Sequence, residues 1–135
     1  MPSLYLLDTN TVSAVMADHP KVKAKLSTQP GRIVTCAIVR GEIRYGLERL
    51  AVGKRRANLE SKAIAVFAAL PIEPITAAAA DIYGTIRRTL EVKGHIASDN
   101  DLWIAAAALA IGAVLVSNDQ AFRNVPGLAL EDWTV

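Results

Sequence analysis

Short apolar runs separated by stretches of helical spacing constrain this chain more than any other feature. Leu4-Tyr5-Leu6-Leu7, Ile33-Val34-Thr35-Cys36-Ala37 and Ala113-Val114-Leu115-Val116 have the length of buried strands, and the second is rich in β-branched residues. Between them the apolar residues recur at helical intervals. Strands alternating with helices predict an α/β domain whose parallel sheet is covered on both faces. The order of the strands is not encoded in these patterns.

The helical stretches can be bounded from their punctuation. Thr9 or Asn10, both good N-cap types, opens a first helix through about Met16. Residues 21–27 form a second, ended by Pro30-Gly31. Ile38, Ile43, Leu47 and Leu50 mark a third, interrupted before Gly53, and residues 54–70 a fourth. The prolines of Pro71-Ile72-Glu73-Pro74-Ile75 predict an edge strand. Thr76 caps a helix to about Val92, and Lys93-Gly94 stops it. Ser98 or Asp99 opens the helix 100–111, with Asp99 the better cap. Phe122 belongs to a turn or short helix, and residues 128–130 to a last strand.

The 135 residues suit one domain, 1–135, able to bury a substantial core, and 52% of them are apolar. A single cysteine, Cys36, excludes an internal disulfide and a cysteine zinc cluster and reads as a small core residue. His19 and His95 have no ligand-like neighbours. Met-Pro-Ser at the start carries no basic region before an apolar one, as a secretion signal would. The apolar run 102–116 spans 15 residues, short of the roughly 20 that cross a membrane, and Gly112 divides it. A cytoplasmic protein is expected. Charge is segregated: residues 1–62 carry a net +6 and residues 63–135 a net −4. That pattern suits a polyanionic partner, or simply a solvated surface.

Four carboxylates fall where strands end or helices begin: Asp8, Glu42, Asp101 and Asp119. In parallel sheets, sites are built at the carboxyl ends of the strands. Carboxylates gathered there repel one another, by about 4 kcal/mol for a close pair near a surface. A divalent cation such as magnesium, which prefers oxygen ligands, would relieve that repulsion. Each position also has a plainer reading. Asp8 can turn the chain and cap a helix, and Glu42 can pair with Arg40, Arg44 or Arg49. Asp99 and Asp101 are separated by about 200° around a helix, so only one of them faces a given site; Asp101, on the side of Ile104, Ala105 and Ala108, is the better ligand. Asp119 sits in the ordinary turn composition Ser117-Asn118-Asp119-Gln120.

Taken together, these segments resemble a known family. Leu6-Leu7-Asp8-Thr9-Asn10, Glu42-Ile43-Arg44-Tyr45-Gly46, Asn100-Asp101-Leu102-Trp103-Ile104-Ala105-Ala106 and Leu115-Val116-Ser117-Asn118-Asp119 stand in the order found in PIN-domain ribonucleases, specifically VapC-type toxins of bacterial toxin–antitoxin pairs. Pro126-Gly127-Leu128 and Glu131-Asp132-Trp133 resemble the family's ending. The resemblance implies a three-layer α/β/α fold on a central parallel sheet of four to five strands. It also implies a homodimer, and a small VapB-like antitoxin that blocks the site. Asp8, Glu42, Asp101 and Asp119 would be the acidic quartet holding Mg2+ or Mn2+, with Ser117 supporting it and Thr9 and Asn10 beginning the first helix beside it. Many relatives carry Asn where Asp119 stands.

The implied reaction is hydrolysis of RNA phosphodiesters, in structured RNA such as tRNA. No Ser–His or Cys–His pairing points to a covalent intermediate. Arg40 and Arg44, on the helix of Glu42, are the candidate RNA contacts, followed by Lys54, Arg55 and Arg56. Trp103 and Trp133 read as core or interface residues. The competing interpretation is a non-catalytic PIN-like protein- or RNA-interaction domain. A phosphatase or response-regulator domain fits less well, because paired aspartates are absent at the first strand.

Overall fold

The computed structural model describes residues 3–135. Met1 and Pro2, the start of the segment considered above for a secretion signal, lie outside the described residues. Five strands, β1 (Leu4–Leu7), β2 (Arg32–Cys36), β3 (Ile72–Glu73), β4 (Val114–Val116) and β5 (Leu130–Glu131), form a wholly parallel sheet in the order β3-β2-β1-β4-β5. The six helices are α1 (Thr9–Met16), α2 (Pro20–Thr28), α3 (Ala37–Glu48), α4 (Lys54–Ala69), α5 (Ala77–Val92) and α6 (Asp99–Ala110). They complete a three-layer α/β/α arrangement.

The strand order is the detail that positions the site. From β1 the chain steps to β2 and β3 on one side, then returns to lay β4 and β5 on the other. The direction therefore reverses between β1 and β4. Outside the carboxyl ends of strands at such a reversal, helices leave in opposite directions and a crevice opens. Asp8 follows β1 directly, and Ser117 follows β4.

β1 can be central because it is apolar throughout: Leu6 and Leu7 are wholly buried, as are Val34 in β2 and Leu115 and Val116 in β4. Burying each such side chain contributes about 1.5–3 kcal/mol. Buried threonines tie the strand ends together. Thr35 donates its hydroxyl to the Leu7 carbonyl at 2.9 Å, and Thr11 donates to the Val116 carbonyl at 2.9 Å. Gly31 is dictated by space, since a Cβ there would lie 2.2 Å from the Ser3 carbonyl oxygen and 2.7 Å from the Tyr5 ring. The prolines do flank an edge strand, β3.

α6 is buried nearly all round, at Leu102, Ile104 and the run Ala105–Ala108, because alanines let a helix lie close to its neighbours. Gly112, at φ +67, turns its end into β4. Cys36 and Trp133 are core residues, as expected, and the Trp133 indole donates to Glu131 at 2.9 Å.

Three details differ from the sequence reading. The cap of α1 is Asp8, not Thr9 or Asn10, since its carboxylate accepts the Thr11 amide while Thr9 is already helical. The cap of α6 is Ser98, not Asp99, because the Ser98 hydroxyl is the group that meets the Asp101 amide. The last strand begins at Leu130, where pairing with β4 starts, and not at Leu128.

Candidate active site

Asp8 lies at the carboxyl end of β1, beside the reversal point, and is 3% exposed. Its Oδ1 accepts the Thr11 amide at 2.8 Å, so capping fixes the carboxylate's rotamer. The plain reading of Asp8 as a cap and its reading as part of a site are thus the same geometry. Burial pushes its carboxyl above the ordinary Asp range; hydrogen bonds from Ser117 and Thr11 oppose this, and Asp119 adds to it.

Asp101 lies in the first turn of α6, half-buried, with its amide donating to Ser98 Oγ at 3.1 Å. Burial raises its carboxyl as well, the Ser98 hydroxyl counteracts, and Asp119, Glu42 and Asp8 raise it further. Those three contributions show that all four carboxylates share one electrostatic neighbourhood. They come from the ends of β1 and β4 and from α3 and α6.

Glu42 projects from α3, where its Oε1 accepts the Thr9 hydroxyl at 2.6 Å. The alternative of a surface ion pair for Glu42 finds no support. Arg44 instead pairs with Glu48 and Glu60, Arg40 lies 5.3 Å over the Phe67 ring, and Arg49 lies 5.6 Å over Tyr45. Arg40 and Arg44 together line a groove between α3 and α4.

Asp119 caps a 3-10 turn, Gln120–Asn124, through Ala121, and its own amide donates to Ser117 Oγ at 3.0 Å. Ser117 is buried and thereby serves both Asp8 and Asp119. Asn10 reaches Asn118 at 3.4 Å. Asp99 points elsewhere, toward Tyr83 and Arg87 of α5. No local pattern of residues marks the Thr9–Glu42 bond, whose partners are 33 residues apart.

No Lys, Arg or His pairs with Asp8, Glu42, Asp101 or Asp119 among the described residues. Like charges therefore lie near one another with no direct ion pair among the described residues, and Arg123 lines the recess beside Asp119 without bridging to it. The donors are all oxygen, the set a hard divalent cation prefers. Among the described residues, no three acidic, His or Cys side chains converge tightly enough to enclose an ion. A magnesium-type ion does not need such a cage, because it retains waters and takes one or two carboxylates together with substrate phosphates. The residues fit such an ion.

An α/β sheet with unpaired acidic side chains beside its reversal point defines a class of sites suited to phosphate chemistry. The comparisons narrow it. The PIN domain pattern matches residues 5–128. Ribonuclease VapC2 of Rickettsia felis is 34% identical over 134 residues, covering 96% of this chain and 98% of that protein. The tRNA(fMet)-specific endonuclease VapC of Salmonella typhimurium is 30% identical over 132 residues, covering 96% and 97%. The crystal structure of VapBC2 from Rickettsia felis, bound to a DNA fragment from their promoter, superposes with a TM-score of 0.88 at 33% identity, covering 96% of this chain and 98% of that one. The chain belongs to the PIN-domain family, among its VapC ribonucleases. No helix among the described residues is long and apolar enough to cross a membrane.

Proposed function

We propose that this chain, as a single domain, is a Mg2+- or Mn2+-dependent endoribonuclease. In this reading it is the toxin of a toxin–antitoxin pair, acts on structured RNA such as tRNA, and is restrained by a small VapB-like antitoxin. What supports the reading is that Asp8 and Asp119 follow the two strands flanking the sheet's reversal, that Asp101 feels the charges of Asp8, Glu42 and Asp119, and that none of the four is in an ion pair among the described residues. The tRNA preference rests on the Salmonella relative's activity, and the antitoxin on the Rickettsia complex. A homodimer is the expected assembly.

Asp8 and Asp101 would hold the ion, with Glu42 and Asp119 completing its surroundings. A bound divalent ion supplies charge to stabilise the phosphate and lowers the pKa of an attacking water. The chain's own residues prepare the rest. Thr11 and Ser117 fix Asp8, and Thr9 fixes Glu42 so that its second oxygen is free to orient water. Ser98 fixes the backbone at Asp101. In the reaction, water oxygen bonds to phosphorus as the phosphorus–oxygen bond to the leaving nucleoside breaks. The water's proton passes to a base, and the leaving oxygen gains one. Arg40 and Arg44 would supply phosphate contacts, Arg40 the more readily because Arg44 is already paired with Glu48 and Glu60.

Purified protein should cleave tRNA with Mg2+ or Mn2+ and stop in EDTA. Asp8→Asn and Asp101→Asn should each slow cleavage on the order of 100-fold or more. Full-rate cleavage by both variants would overturn the reading.

A further inference from the structure

The start of α6 is a demanding place to hold a carboxylate. Asp101 is pushed from the crevice side by Asp8, Glu42 and Asp119, while the first turn of a helix lacks the hydrogen bonds that stiffen its interior. Behind it lies a group that no part of the site uses. The Tyr83 hydroxyl donates to Asp99 at 2.9 Å, Arg87 donates to that hydroxyl at 2.7 Å, and Arg87 lies 3.3 Å from the same Asp99 oxygen. One turn along α6, Trp103 stacks on the Tyr83 ring at 3.8 Å and 4°.

Both attachments are spaced by four residues on their own helix. Asp99 and Trp103 of α6 face Tyr83 and Arg87 of α5, and Asp101 lies between them in sequence. Two residues on a helix turn about 200°, so both attachments lie on the side away from the Asp101 carboxylate. Held at two points from behind, the first turn of α6 can neither roll nor lift away from the crevice. Stability alone gives little reason for the polar half of this group. Asp99 is 63% and Arg87 48% exposed in their side chains, and exposed ion pairs contribute little. Its geometric effect is large by comparison, because a shift of about 1 Å at a reacting group can cost on the order of 100-fold in rate.

We infer that Tyr83, Arg87, Asp99 and Trp103 form a two-point clamp that sets where Asp101 stands, making them positioning residues for the acidic crevice. The inference rests on the proposed role of Asp101 in holding a divalent ion.

The test is Mn2+ binding to RNA-free protein by calorimetry, alongside kcat and KM for tRNA cleavage. Tyr83→Leu removes the stack and the hydroxyl bridge, leaving only the exposed Arg87–Asp99 pair, and should weaken Mn2+ binding about tenfold or more and lower kcat, leaving KM unchanged. Tyr83→Phe keeps the stack and loses the hydroxyl, so it should show a smaller loss in the same direction and serves if Tyr83→Leu does not fold. Trp103→Phe should recover most of what Trp103→Ala loses. If Tyr83→Leu and Tyr83→Phe only melt earlier, with Mn2+ binding and kcat intact, the clamp is merely structural and the inference falls. If KM alone rises, the aromatic pair is an RNA-stacking surface and the inference likewise falls. Wild-type protein that binds no Mn2+ would overturn the metal reading itself, which separates that failure from failure of the clamp.

Discussion

At the scale of single residues, the site depends on short polar side chains that fix longer acidic ones. Thr9 is the sharpest case. Its hydroxyl holds Glu42 and its methyl does not, so Thr9→Ser should cleave RNA at close to the wild-type rate while Thr9→Val loses about tenfold in kcat. Asp8 gives a stability prediction. Because burial raises its folded carboxyl, the metal-free folded protein holds that proton more tightly than the unfolded chain does. Stability therefore falls as pH rises from the ordinary Asp value through the raised one. Asp8→Asn keeps a capping oxygen and has no charge to desolvate. In EDTA at pH 7 it should melt above wild type, and the gap should close on acidification through that window. A calorimetric series would check it, and a wild type that melts higher at pH 7 would contradict it. Asp8, Asp101 and Asp119 stand out in the sequence because each sits at a boundary between apolar patterns; Glu42 does not, since it lies inside α3 and not at a helix start, and only the family resemblance singles it out. Their supports are not legible there. Nothing local links Thr9 to Glu42 or Ser117 to Asp8, and the choice of Asp8 over Thr9 as cap turns on a dihedral angle, not on residue type.

At the scale of elements, apolar spacing together with proline, glycine and capping residues located the six helices and five strands of the described residues to within a few positions. The start of β5 was placed two residues early, since Leu128-Ala129-Leu130 is apolar throughout and only pairing with β4 decides where the strand begins. Two changes test how firmly the elements are joined. Gly31→Ala would drive a methyl group into the Ser3 carbonyl and the Tyr5 ring, at 2.2 and 2.7 Å. Shifting backbone to make room costs about 1–3 kcal/mol, which chemical denaturation would report as a lower midpoint with an unchanged slope. Ser98→Ala removes the cap of α6 and should cost about 1 kcal/mol. Because that cap also sets the backbone at Asp101, cleavage should fall by more than the lost stability explains.

At the scale of the whole molecule, what the sequence withheld was strand order, and with it the reason the carboxylates meet. Periodicity states that a segment is a strand without naming its neighbours, so the reversal between β1 and β4 emerges only from long-range pairing. Charge segregation was legible, though not its deployment. Arg44 and Arg56 are both engaged with Glu48 and Glu60, all four within residues 1–62, so the net +6 of that segment is unchanged and rests on its other basic side chains. RNA affinity should weaken with added salt, and Arg40→Ala should reduce the slope of log affinity against log salt by about 1. The central place of β1 carries one last consequence. Leu6 in β1 pairs with Leu115 in β4, so the middle of the sheet closes only when distant parts of the chain meet, and folding should be slow beside that of a helical bundle of the same size.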